Sequence, residues 1–137
     1  MSNLQAFFAQ NVRSDIVEEF VVSERFKGED GKPIPWKLRA LTEEENEQLR
    51  RASIPPDKKG EPGQIQPDVY LAKVVVASVV FPDLKNAELQ QSYGVMGAEA
   101  LLKRMLLSGE YARLAKKVQE INGFDKDLND LIDEAKN

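Results

Sequence analysis

Three helix boundaries crowd between Phe81 and Tyr111, and they restrict this part of the chain to short helices joined by tight turns. They are Pro82–Asp83, Tyr93–Gly94–Val95 and Ser108–Gly109–Glu110. Asn86 can cap a short helix that ends on Gly94 as a left-handed residue, so that Val95 folds back on Leu89. From Gly97 to Leu107, the residues Leu101, Leu102, Met105 and Leu106 share one helical face while Lys103 and Arg104 turn outward. Ser108 is expected to cap the next helix, with Glu110 in its first turn and Tyr111, Leu114, Val118 and Ile121 as its stripe. Asn122–Gly123–Phe124 stops that helix and aims Phe124 at Val118. An acidic segment, Asp125 to Asn137, then carries Leu128, Leu131 and Ile132 at helical spacing.

Upstream, Asp68 to Val80 is apolar nearly all round. Its valines suit a buried strand as well as a helix, but its length, the Pro67–Asp68 start and the stop before Pro82 favour a central buried helix. Glu19 to Lys27 reads as a strand with Phe20, Val22 and Phe26 on its apolar face. Gly28 to Pro33 is a turn centred on Asp30–Gly31, and Ile34 to Ala40 is a second strand carrying Trp36 and Leu38. Thr42-x-x-Glu45 is a capping box in front of a helix to about Ala52, with Glu43 and Glu44 near its positive end and Arg50 and Arg51 near the other. Ile54 to Gln66 is rich in proline, glycine and charge, and reads as an exposed loop between residues 1–53 and a helical unit, 67–137. The whole, 1–137, is expected to be one domain of α+β class: an N-terminal β-hairpin packed on a predominantly helical body. At the start of the chain, Leu4, Phe7 and Phe8 lie on one side of a short helical turn. They dock either on the domain's own core, which the pattern favours, or on a partner.

The composition narrows function mainly by exclusion. There is no histidine and no cysteine. The usual proton-transfer group near neutral pH, the thiol nucleophile and the commonest transition-metal ligands are therefore missing. The net charge of −4 disfavours general binding to nucleic acid or an anionic membrane. The short basic pairs, Arg50–Arg51, Lys58–Lys59, Lys103–Arg104 and Lys116–Lys117, are interleaved with acids and read as solvated faces. Glu43, Glu44 and Glu45 splay around a helix instead of converging on a metal. No phosphate loop, nucleophile elbow or calcium loop is found, and no run suits a membrane helix or signal peptide. No enzyme activity and no cofactor is expected from these residues.

The order of several short blocks has a further meaning. Leu4–Phe8 with Gln10–Val12, Val22–Phe26 with Gly31–Ile34, and Trp36–Leu41 with Glu45–Arg50 lead into Pro82–Asp83–Leu84, Ala87–Glu88–Leu89–Gln90, Ser92–Val95 and Gly109–Glu110–Tyr111. Together they resemble the XkdN-like tail assembly chaperones of phages and phage-like elements of Gram-positive bacteria, over roughly Leu4 to Phe124. The resemblance implies a non-virion assembly factor in the host bacterial cytoplasm. Such a factor coats the tape measure protein, a long helical ruler, and keeps it soluble while tail-tube protein polymerises around it. It implies no catalytic residues, no nucleic-acid or membrane partner, and leaves self-association open. It also implies that translation can shift frame near the Lys136–Asn137 codons to give a minor longer product.

The candidate contact residues come from the sequence alone: Leu4, Phe7 and Phe8 at one end, and Leu128, Leu131 and Ile132 at the other. Two other classes share part of this profile. A small acidic adaptor that inhibits one cellular protein would have the same acidity and helicity, and a metal-dependent hydrolase would need a convergent carboxylate set that the sequence does not offer.

Overall fold

The computed structural model describes residues 3–12, 17–55 and 64–124. Two 3-10 turns, Asn3–Phe7 and Ala9–Asn11, precede strand β1 (Val17–Phe20) and strand β2 (Trp36–Arg39). Helices α1 (Glu43–Ala52) and α2 (Pro67–Ser78) follow, then strand β3 (Val79–Phe81). The chain continues through α3 (Ala87–Ser92), α4 (Ala98–Met105) and α5 (Ser108–Ile121). This is an α+β fold, as the periodicities indicated, with a three-stranded antiparallel sheet ordered β1-β2-β3.

The hairpin differs from its sequence reading. Strand β1 lies earlier than Glu19–Lys27, pairing Val17 with Arg39 and Phe20 with Trp36. Beyond Phe20 the backbone leaves the ladder and the segment is held by bonds to distant parts of the chain. Arg113 donates to the Val22 carbonyl at 3.0 Å, and Arg25 donates to the Met105 carbonyl at 3.0 Å. The expected turn is present nonetheless. Gly31 has φ 79°, Asp30 accepts from the Lys32 amide, and a single bridge joins Lys27 to Pro33. The apolar side chains named for that strand still reach the core. Val22 is fully buried, and Phe26 lies 6.1 Å from Trp36, centroid to centroid.

The valine run resolves into both candidate states. Residues 67–78 form α2, with Pro67 in its first turn, where a missing amide costs nothing. Val79–Phe81 then turns extended and adds to the free edge of β2, pairing Val79 with Leu38. The expectation of one buried helix to Val80 is therefore corrected for its last residues, and Val80 and Phe81 are each 45% exposed.

Helix α2 is the centre of the molecule and contacts α1, α4 and α5. Val22, Trp36, Leu38, Val74, Val75, Leu84, Leu101, Leu102, Leu114 and Val118 form one continuous core. Each such buried aliphatic side chain contributes roughly 1.5–3 kcal/mol by leaving water. Local signals set the ends of the short helices. The Asn86 side chain accepts from the Leu89 amide at 2.8 Å. Gly94, at φ 70°, closes α3 while the Val95 amide bonds back to the Gln90 carbonyl. These two bonds form the cap and Schellman stop anticipated from sequence. Ser108 is the first helical residue of α5 instead of its cap. The cap position falls to Leu107, whose amide donates to Glu110 at 2.8 Å while its side chain has no acceptor to offer in return.

Candidate functional site

Polar clusters inside the body serve the fold. Glu110 is 6% exposed and receives Arg25 through two bonds, Nε to Oε2 at 3.0 Å and Nη2 to Oε1 at 2.5 Å. The Arg25 hydrogen bond holds the Glu110 carboxyl down at about 2, against the opposing pull of burial. Arg39 grips Glu45 with two nitrogens, at 3.1 and 2.6 Å, while Glu45 also accepts from the Thr42 amide. The same pairing, led by Arg39, lowers Glu45 to about 2. Asn46, buried in α1, accepts from the Tyr70 hydroxyl and so pins α1 to α2. Asn122 accepts from the Leu41 amide at 2.7 Å and donates to Ser78 Oγ at 3.3 Å. Each charged group here is matched within the fold, an arrangement that stabilises ionised carboxylates instead of holding one ready for proton transfer. Among the described residues no group of three or more acids forms a metal-binding set.

The surface offers apolar features instead. Leu4 and Phe7 lie in the first 3-10 turn, and Phe8 follows it. They are 67%, 79% and 42% exposed, so the arm does not dock on the domain's own core as its pattern favoured. Among the described residues the hydrogen bonds of its short turns stay within the arm, Phe8 amide to Gln5 carbonyl and Asn11 side chain to Gln5 carbonyl, and none ties it to the body. Leu128, Leu131 and Ile132 lie outside the described residues.

A second feature was not legible in the sequence. A groove of about 600 Å³ runs between α1, α2 and β3. Leu49, Ala52, Val76, Ala77, Val79 and Val80 line it, and Arg39, Lys73, Asp83, Lys85 and Glu99 edge it. Lys73 bonds Glu99 across the rim at 3.0 Å, whereas Lys85 has no ion pair among the described residues. The groove needs the valine run to change from helix to strand at Val79, a switch that periodicity alone does not reveal.

Comparison with known proteins identifies the family. The profile of the phage XkdN-like tail assembly chaperones matches residues 4–136. The chain belongs to this family. It is 32% identical over 132 residues to the uncharacterized protein YqbN of Bacillus subtilis strain 168, covering 93% of this chain and 88% of that one. It is also 32% identical over 120 residues to XkdN of the phage-like element PBSX from the same strain, covering 85% and 81%. The crystal structure of YqbN superposes with a TM-score of 0.78 at 26% identity, over 91% of this chaperone and 99% of that chain. The family and the α+β fold inferred from sequence thus agree with these relatives. No helix among the described residues is long and apolar enough to cross a membrane.

Proposed function

We propose that this tail assembly chaperone binds the tape measure protein and keeps it soluble while tail-tube protein polymerises around it. Family membership carries the reading, and the exposed arm gives it a physical means. Large apolar side chains left in water favour association with another apolar stripe, and a long amphipathic helix presents such stripes at i, i+3, i+4 and i+7. Leu4, Phe7 and Phe8 are the proposed contacts, together with Leu128, Leu131 and Ile132. The protein acts in the host bacterial cytoplasm and leaves before the virion is complete. It requires no catalysis, cofactor, nucleic acid or membrane.

Co-expression with a tape measure protein from the same phage or phage-like element tests this. The chaperone is expected to raise the soluble fraction of that protein and to co-purify with it, and removal of 1–12 together with 125–137 should weaken capture while the body stays folded. A tape measure protein that stays equally insoluble, with none recovered on the chaperone, would refute the proposal and favour an adaptor for a different protein.

A further inference from the structure

We propose that Asn122–Gly123 is a deamidation site gated by the fold: it stays intact while the end of α5 is docked, and opening exposes it to an irreversible conversion that prevents full redocking.

Asn122–Gly123 is the one Asn–Gly step in the chain. A following glycine has no Cβ to hinder ring closure, so its backbone nitrogen reaches the asparagine side chain more readily than that of any other residue. The Gly123 nitrogen attacks Asn122 Cγ, and the new N–Cγ bond closes a five-membered imide. The Cγ–Nδ2 bond breaks, and ammonia leaves with the proton from the Gly123 amide. Water then adds to one imide carbonyl and opens the ring, giving aspartate or its isoaspartyl isomer. The only co-reactant is water.

In the folded chain the groups that must react are engaged elsewhere. Asn122 Oδ1 accepts from the Leu41 amide at 2.7 Å, while Nδ2 donates to the Val118 carbonyl at 2.9 Å and to Ser78 Oγ at 3.3 Å. The Gly123 amide donates to the Glu120 carbonyl at 3.1 Å, and Asn122 sits at φ −82° and ψ −4°, close to helical angles. Ring closure must break this set and swing the backbone away from it, so it needs a local opening at the end of α5. The product does not fit the same place. An oxygen replaces Nδ2, and although the Ser78 hydroxyl can turn to donate to it, the Val118 carbonyl cannot, so two acceptors face each other. The new negative charge also lies at the negative end of α5. Leu41 precedes α1 and Ser78 closes α2, so the loss falls on the contact that ties α5 to both. The lifetime of the native chaperone is then set by how often α5 opens, whatever partner it serves.

Peptide mapping by mass spectrometry tests this on the full chain, incubated in mildly alkaline buffer either folded or unfolded in guanidinium chloride. In the unfolded chain Asn122 is expected to convert first among the asparagines, and in the folded chain it should convert at least roughly a hundredfold more slowly. Gly123→Ala should slow the reaction of the unfolded chain several-fold, where the positive φ of Gly123 no longer matters. Asn122→Asp supplies the product directly and should lower the urea midpoint at neutral pH by roughly 0.5 M or more. Similar rates in the folded and unfolded chains would overturn the gating. Earlier conversion of another asparagine, or no slowing by Gly123→Ala, would overturn the site. An Asn122→Asp midpoint equal to the wild type's would overturn the claim that conversion prevents full redocking.

Discussion

Replacing Glu110 with Gln isolates the ion pair that ties the segment after β1 to the start of α5. The substitution keeps the shape and an acceptor for the Leu107 amide, but removes the charge that faces Arg25. A carboxyl lowered from 4.5 to about 2 corresponds to a ceiling of roughly 3 kcal/mol. The Arg25 side chain is 45% exposed, and solvent screening of that partner reduces the expected loss to about 1.5–2 kcal/mol. The sign follows from the direction of the shift. Because the folded-state value is depressed, the contribution is fully present above about pH 4.5 and is lost as pH falls toward 2. Urea unfolding followed by Trp36, the single tryptophan and 2% exposed, measures this directly. The wild type should exceed Glu110→Gln by about 1.5–2 kcal/mol at pH 7, and the gap should close between about pH 4.5 and 2. Glu45 titrates in the same window, but it is present in both proteins and cancels. A gap below about 0.5 kcal/mol at neutral pH, or one that does not change on acidification, would refute the assigned role of this pair.

Asn122→Ala should cost about 2 kcal/mol in the same unfolding assay, because it removes bonds to the Leu41 amide and Ser78 at once; an unchanged midpoint would mean water replaces them. Gly94→Ala should cost about 1 kcal/mol from its φ of 70° alone, since no atom lies within 4 Å of the added carbon. A thermal melt equal to the wild type's would contradict that strain. Phe7→Ala with Phe8→Ala should leave stability within about 0.5 kcal/mol and weaken capture of the tape measure protein roughly tenfold. A destabilisation of more than about 1 kcal/mol would instead show that the arm packs on its own body.

The sequence by itself determined the features set by neighbours along the chain. The Thr42–Glu45 box, the Asn86 cap, the Gly94 stop and the Gly31 turn are each made by groups within a few residues of one another, so a local pattern suffices to read them. The apolar residues that build the core, among them Val22, Leu101, Leu102 and Leu114, were also legible, because burial follows side-chain chemistry whatever the backbone does. Tertiary structure decided where those patterns are overruled. Beyond Phe20 the chain is held by groups far away in sequence: Arg113 takes the Val22 carbonyl from about ninety residues away, and the Arg25 side chain reaches the Met105 carbonyl about eighty residues away. The valine run changes from helix to strand at Val79 because the free edge of β2 supplies partners that no residue within the run can offer. The groove between α1, α2 and β3 exists only through that change, and its walls come from segments far apart in sequence. Its geometry is therefore a property of the packing of distant elements, which no local spacing encodes.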